Sequence, residues 1–164
     1  MNPRIIFSIL ILILFFGTGK TSSGFSGPSK GVYAALQSDD TSKINAQLIA
    51  IESTSWKEKD AYAGALTMKK SGLVKSGLEK LSLFKKGRVR LEASIKQDSA
   101  NIEYRFLRLL IQENVPDFLN YHSKKTEDSR LIRDSFLQLP ADLQQLIRDY
   151  SKKSKVLKPE DFQK

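Results

Sequence analysis

The stretch NIEYRFLRLLIQEN at residues 101–114 constrains the fold more than any other part of this sequence. On a helix that turns by about 100° per residue, its apolar side chains cover a broad arc. They are Ile102, Tyr104, Phe106, Leu107, Leu109, Leu110 and Ile111. The narrow remaining stripe carries Arg105, Arg108 and Gln112. A helix with so wide an apolar surface is expected to be covered by other helices on two sides.

The rest of the hydrophobic pattern predicts further helices and no strands. Apolar residues recur at helical spacing in residues 41–56, 59–72 and 78–97, and again after Thr126 and Pro140. The predicted class is all-α, a compact bundle of about six helices in a single domain spanning residues 38–164. The small side chains of Ala61 and Ala65 predict a close helix crossing, and Phe162 is expected to dock on the body.

Residues 1–19 have the features of a signal peptide. One positive side chain, Arg4, precedes an apolar run over residues 5–16, and residues 17–19 are small. The run is shorter than the roughly 20 residues that a spanning helix needs. We therefore expect export to the periplasm or the extracellular space, with an uncleaved membrane anchor as the alternative. Residues 20–37 are rich in Gly and Ser and are predicted to be a flexible leader.

The chain has no cysteine and one histidine, His122. This composition excludes disulfides, thiolate metal sites and a cysteine nucleophile. One histidine without cysteine cannot supply a zinc ligand set, so no metal site is predicted. His122 lies in a polar loop, where an exposed histidine without a direct role is the commoner case. No catalytic residue and no cofactor are predicted from the motifs.

Residues 69–90 form a basic segment with eight Lys or Arg side chains and one acid, Glu79. Its basic residues are Lys69, Lys70, Lys75, Lys80, Lys85, Lys86, Arg88 and Arg90. Such a segment attracts anionic lipid, acidic polysaccharide or an acidic protein. Nucleic acid is not an expected partner, because the segment offers only Phe84 for stacking on bases. A solvated face that binds nothing is the commonest explanation of such charge.

Arg88 interrupts the apolar face of the helix predicted at residues 78–97. An unpaired buried charge is costly. We therefore expect Arg88 to pair with Glu103 or Glu113 of the central helix.

The polar stripe of the central helix is the candidate ligand site. Arg105, Arg108 and Gln112 have no packing explanation in the sequence. If they face a groove beside Tyr121 and His122, they would bind an anionic ligand, with Arg88 as a further candidate. Surface salt bridges are nevertheless the role that we expect for the two arginines.

Residues 87–111 have the spacing of a repeated helical hairpin. Gly87, Leu91 and Ser94 follow a small–large–small order, and residues 98–101 read Asp-Ser-Ala-Asn. Large side chains follow at Tyr104, Leu107 and Ile111. This junction resembles a tetratricopeptide-type helical hairpin, although Arg108 and the turn without proline depart from that family's pattern. The resemblance implies a helical face that binds a partner, rather than catalysis.

These features predict an exported, non-catalytic binding or scaffold protein of the cell envelope, with another envelope protein as its partner. Two alternatives remain open. One is a basic peripheral module that binds anionic lipid or glycan through residues 69–90. The other is a small hydrolase that uses Arg105, Arg108 and His122 around an acidic substrate.

Overall fold

The computed structural model describes residues 28–163. The helices are α1 (Pro28–Leu36), α2 (Thr41–Glu52), α3 (Lys59–Ser71), α4 (Gly77–Gln97), α5 (Ile102–Gln112), α6 (Lys125–Ser135) and α7 (Ala141–Ser151). Short 3-10 turns lie at Asp117–Leu119, Phe136–Gln138 and Pro159–Phe162. Residues 28–163 contain no strand, and their helices share one hydrophobic core, so the predicted all-α class is confirmed. No helix in this range is long and apolar enough to cross a membrane.

α5 is the central helix, as its apolar arc predicts. Its large side chains Tyr104, Phe106, Leu107 and Leu109 are at most 2% exposed. α3 and α4 contact part of its surface, and α6 contacts another part. Asn101 caps the start of the helix, because its side-chain oxygen accepts a hydrogen bond of 3.2 Å from the backbone N–H of Tyr104. The predicted cover by several helices is confirmed.

α3 and α4 form the most extensive helix pair of the described residues. They cross at Gly64 and Gly87, where a Cβ built on Gly87 would lie 2.5 Å from the carbonyl oxygen of Gly64. Such an approach of two backbones requires glycine at both positions. The sequence pattern places the close crossing at Ala61 and Ala65. Both alanines are buried, and the backbone approach that excludes a Cβ lies at Gly64, next to Ala65.

α1 corrects the predicted leader. Residues 28–36 form a helix that packs against α2 and α3, although residues 20–37 are predicted to be flexible. Val32, Tyr33 and Ala35 are at most 4% exposed, and the Tyr33 ring lies 5.9 Å from that of Phe106. A helix of nine residues is marginal by itself, so packing on the body stabilises it. The rest of the leader, residues 20–27, and the predicted signal peptide, residues 1–19, lie outside the described residues.

The C-terminal segment contacts the body at two places. Phe162 is 2% exposed and its ring centroid lies 4.5 Å from that of Phe136, so its predicted docking is confirmed. Glu113, just after α5, accepts hydrogen bonds from the Ser154 hydroxyl at 2.7 Å and from the backbone N–H of Lys155 at 2.6 Å. These contacts hold the chain after α7 against the end of α5.

The residues that resemble a tetratricopeptide hairpin are internal. They are Gly87, Leu91 and Ser94 in α4, and Tyr104, Leu107 and Ile111 in α5. Burial in the α3–α4–α5 core accounts for the sizes of these side chains. The resemblance itself stays a prediction.

Candidate functional site

The polar stripe of α5 is buried. Arg105, Arg108 and Gln112 are 8%, 3% and 1% exposed. α6 packs against α5 and places Asp128, which is 0% exposed, within bonding distance of both arginines. The expected salt bridges of Arg105 and Arg108 are present, but their expected place at the surface is wrong, because both arginines and Asp128 are buried.

Arg108 is bound by two carboxylates. Its Nε and Nη2 atoms each donate to one oxygen of Asp128 at 2.7 Å, which is the bidentate geometry of a strong pair. Its Nη1 atom donates to Glu92 of α4 at 2.8 Å. Burial opposes the charge of Arg108, but the hydrogen bonds and charges of Asp128 and Glu92 outweigh it and raise its pKa. The guanidinium thus joins α4, α5 and α6.

Arg105 binds the same region one turn earlier. Its Nη1 atom donates to Asp128 at 3.2 Å and to Glu127 at 3.1 Å. Its Nε and Nη2 atoms donate to the backbone carbonyl of Ser99 at 3.2 and 2.9 Å. Lys124 also donates to Glu127, and the bonds from Lys124 and Arg105 hold the pKa of Glu127 below its usual value. We call Arg105, Arg108, Glu92, Lys124, Glu127 and Asp128 the arginine network.

Tyr121 extends the network towards α4. Its hydroxyl donates to Glu92 at 2.6 Å, and burial, together with Glu92, raises the pKa of Tyr121. The guanidinium carbon of Arg88 lies 4.8 Å from the centre of the Tyr121 ring, a cation–π contact. Arg88 itself is exposed.

The predicted pairing of Arg88 with Glu103 or Glu113 is wrong. Arg88 forms no ion pair within residues 28–163, and it stacks on Tyr121 instead. Glu103 accepts hydrogen bonds from two tyrosines, and Glu113 accepts them from the C-terminal segment. The long side chain of Arg88 reaches solvent along its stem, so no carboxylate is needed.

His122 and Gln112 lie beside the network without joining it. The Nδ1 atom of His122 lies 2.8 Å from the carbonyl oxygen of Gln112, so Nδ1 carries the proton and donates. The Nε2 atom of His122 and the Oε1 atom of Gln112 are buried and have no hydrogen-bond partner. Nε2 is 3.2 Å from Asp117, without the alignment of a hydrogen bond.

The arginine network is balanced in charge. Three cations (Arg105, Arg108 and Lys124) meet three carboxylates (Glu92, Glu127 and Asp128). The place considered for an anionic ligand is thus occupied by the protein's own carboxylates. Neither of the two cavities described below is lined by Arg105, Arg108 or His122, so the hydrolase alternative gains no support from the geometry.

Glu103 is a buried acid of a different kind. It accepts hydrogen bonds from the hydroxyls of Tyr62 at 2.8 Å and Tyr33 at 3.1 Å, and it takes part in no ion pair within residues 28–163. Burial raises the pKa of Glu103 to about 7, although the two tyrosine hydrogen bonds favour the charged form. The sequence indicates only a helix-start acid here, because the tyrosines that surround it come from α1 and α3.

The basic segment divides into paired and free residues. Arg90 binds Glu52 and Asp60, and thereby joins α4 to α2 and α3. Lys69 pairs with Asp39 at 2.7 Å. Five lysines of the segment form no ion pair within residues 28–163: Lys70, Lys75, Lys80, Lys85 and Lys86. Arg90 therefore belongs to the internal structure and not to an available basic surface.

An open groove lies at one end of this segment. It has a volume of about 770 Å³ and runs between the end of α3 (residues 68–73), the start of α4 (residues 77–84) and residues 111–119. Buried Met68, Phe84 and Ile111 contribute to its walls. Its only charged lining residues are Lys69 and Lys80. We call it the lysine-edged groove.

Apolar side chains project into solvent at this groove. Phe118 is 79% exposed and Leu81 is 41% exposed, and both line it. Leu78, next to the lining residue Gly77, is 85% exposed. Isolated exposed apolar residues are ordinary, but a group of them around an apolar concavity marks an interaction site.

A smaller cavity of about 270 Å³ adjoins the groove and shares Lys69, Ile111 and Asn114 with it. It is lined by residues of α1, α3, α5 and α7. The ion pair between Lys69 and Asp39 lies in its wall, so an acid lines this cavity, whereas no acid lines the groove. The larger groove is the better candidate site.

The sequence did not reveal two features of these sites. One is the set of carboxylates that pair with the buried arginines of α5, and the other is the apolar part of the groove. Asp128 was attributable to the helix dipole, because it lies in the first turn of α6. Leu78 and Phe118 lie on no predicted apolar face, and that mismatch was the only signal of their exposure.

Comparison of the chain with protein-family models, with curated proteins and with solved structures found no match. Within residues 28–163, no group of three or more His, Cys, Asp or Glu side chains is placed to hold a metal ion.

Proposed function

We propose that this chain is a non-catalytic binding module that docks peripherally on an anionic lipid surface through the lysine-edged groove. The observation that carries the proposal is the combination of Leu78, Leu81 and Phe118, exposed beside an apolar concavity, with lysine as its only charged lining residue type. The groove lies at one end of the basic segment at residues 69–90, for which binding to anionic lipid or glycan is one of the alternatives that the sequence leaves open.

The energetics favour a lipid surface. Burying a Leu or Phe side chain contributes roughly 1.5–3 kcal/mol. Each lysine near an anionic membrane surface adds about 1 kcal/mol. Lys80 lines the groove, and Lys75 lies in the connection between the lining residues Leu73 and Gly77. Together these groups would hold the body at the level of the head groups.

Lipid is favoured over a glycan or a protein partner by the shape of the site. Side chains that stand out from the surface, such as Leu78 and Phe118, fit a fluid apolar medium into which they insert. A glycan would need hydrogen-bonding groups along the walls, which are mostly apolar. An envelope protein as partner is the outcome that remains if lipid does not bind.

The proposed location is the cell envelope, after export directed by residues 1–19. There the groove would meet the outer surface of the membrane that the chain has crossed. This location rests on the sequence alone.

The test is co-sedimentation with vesicles, using the chain from Lys20 onwards so that the apolar residues 5–16 do not bind lipid themselves. The core lies within residues 28–163, so every described contact is kept. We expect binding to vesicles of phosphatidylglycerol and phosphatidylcholine, and little binding to phosphatidylcholine alone. Raising the salt from about 0.05 to about 0.5 M should weaken it strongly.

A matched pair of variants assigns the binding to the groove. Phe118→Ser should weaken vesicle binding about ten-fold, since one buried aromatic side chain is worth that much. Leu137→Ser is the control, because Leu137 is 61% exposed but does not line the groove. Equal effects of the two substitutions, or no binding to anionic vesicles, would contradict the proposal and leave a protein partner as the next candidate.

A further inference from the structure

We infer that the lysine-edged groove holds one acyl chain of an anionic lipid, with Lys80 and Lys69 beside the charged head group. The inference rests on the proposed function, and it names the ligand of the same site. Docking on a bilayer needs only the projecting side chains, whereas an acyl-chain site needs the concavity beneath them.

The depth of the groove supports a chain inside it. Phe118 and Leu81 are exposed at its edge, while Met68 and Phe84 in its walls are each 3% exposed. The wall therefore continues inward from solvent to the core. A volume of about 770 Å³ lies in the range of sites that enclose small ligands.

The two uncharged polar side chains of the walls, Ser71 and Asn114, already donate hydrogen bonds within the protein. The hydroxyl of Ser71 donates to the carbonyl of Met68 at 2.6 Å, and the side-chain amide of Asn114 donates to the carbonyl of Leu110 at 2.7 Å. A ligand with many polar groups would find few partners there. A hydrocarbon chain needs none, so it is the ligand chemistry that these walls fit.

The charge at the edge fits an anionic head group. Both charged lining residues are lysines, and no acid lines the groove. Lys80 is exposed and forms no ion pair within residues 28–163. Lys69 pairs with Asp39, but the Asp39 side chain is 83% exposed, so this pair is weak and can be exchanged for a carboxylate or phosphate.

Gly77 is a position in the wall of the groove where a larger side chain can be added without disturbing the core. Gly77 lines the groove, and a Cβ built on it would meet no atom within 4 Å. Gly77→Phe should therefore fold, and it adds a ring at the wall of the groove, beside the space in which the acyl chain would lie. Ala46→Phe is the matched control, because it adds the same ring at an exposed position of α2.

The experiment is a fluorescence titration with cis-parinaric acid, a fluorescent fatty acid, below its micellar concentration and without vesicles. We expect saturable binding by the chain from Lys20 onwards, and binding at least about ten-fold weaker in Gly77→Phe. Ala46→Phe should bind as the unaltered chain does. Lys80→Glu should lower the affinity for the fatty acid several-fold. It should leave the affinity for the methyl ester of the acid unchanged, because the ester lacks the charge.

The outcomes separate this inference from the proposed function. Vesicle binding without saturable binding of parinaric acid would overturn the acyl-chain site and leave surface docking intact. If Gly77→Phe binds parinaric acid as tightly as the unaltered protein, the inference is also overturned, since the acyl chain would then bind outside the groove. The protein could also bind parinaric acid, lose this binding in Gly77→Phe, and fail to bind vesicles. This result would support the acyl-chain site and overturn docking on a lipid surface.

Discussion

The arginine network and the lysine-edged groove differ in whether their charged side chains are buried and paired. In the network, Arg105 and Arg108 are buried and every charge has a partner. At the groove, Lys80 is exposed and free of ion pairs within residues 28–163, and apolar side chains face solvent. The network joins α4, α5 and α6, while the groove leaves the ends of α3, α4 and α5 open.

The difference between the two sites indicates which charged groups stabilise the fold and which are available to a ligand. A guanidinium binds two carboxylates in a fixed geometry, and this makes Arg108 suitable for the interior. A lysine at an apolar edge keeps its ammonium hydrated and available. Charge that is already paired stabilises the fold, whereas charge and apolar surface without partners indicate where a ligand binds.

The largest effect is expected from removing the charge at the centre of the network. Asp128→Asn leaves Arg105 and Arg108 buried without their shared carboxylate, so the free energy of unfolding should fall by about 3–5 kcal/mol. Urea unfolding followed by circular dichroism measures this. The control on the same helix is Asp134→Asn, whose exposed pair with Arg130 should be worth less than about 1 kcal/mol. Similar losses in the two variants would show that Asp128 contributes no more to stability than an exposed ion pair does.

A buried acid without a cation sharpens the comparison. The pKa of Glu103 is raised to about 7 from 4.5, so between these values the folded protein keeps a proton that the unfolded chain has lost. The contribution of Glu103 to the free energy of unfolding therefore falls as pH rises from about 4.5 to about 7, by on the order of 3 kcal/mol, and this contribution changes no further at higher pH.

Glu103→Gln should remove this loss, because the amide oxygen still accepts from the tyrosines and carries no charge. The measurement is urea unfolding at pH 5 and pH 8, where the variant should be the more stable protein only at pH 8. Glu79→Gln, at an exposed position of α4, is the control. An unchanged difference between the two pH values in Glu103→Gln would rule out this role for Glu103.

The helix crossing that supports the groove should respond to a single methyl group. Gly87→Ala places a Cβ 2.5 Å from the carbonyl oxygen of Gly64, so α3 and α4 must separate. Overpacking of this kind costs about 1–3 kcal/mol. Gly77→Ala adds the same group where nothing lies within 4 Å, and should be neutral or gain up to about 1 kcal/mol. A gain in the free energy of unfolding in both variants would mean that α3 and α4 can separate at their crossing without cost.

The smallest effect on stability is expected at the groove. Leu78→Ser and Phe118→Ser remove side chains that are 85% and 79% exposed, so each should change the free energy of unfolding by at most about 0.5 kcal/mol. Thermal and urea unfolding measure this. A large loss of stability in either variant would show that the side chain packs on the body, and it would remove the basis for a binding face.

The helices could be predicted from local patterns. The Asp40 cap precedes α2, Asn101 caps α5, and the apolar arc of residues 101–114 predicts the central helix. The sequence predicts at most a short turn of helix at residues 32–36, and the full extent and packing of α1 could not be predicted, because the helix is short and its apolar side chains matter only against α2 and α3. Gly64 was missed for a similar reason although it lies between Ala61 and Ala65, since helical spacing marks a face but not the point of contact.

The candidate site was harder to predict than the fold. The sequence by itself determined the helical class, the central place of α5 and the basic character of residues 69–90, because these depend on composition and on the helical repeat. Only the tertiary structure decided that Asp128 would neutralise the stripe of α5, and that Phe118 would stand beside α3 and α4 at an open groove. A helical repeat specifies which side chains share a face, but pairing and exposure depend on helices that are distant in the chain.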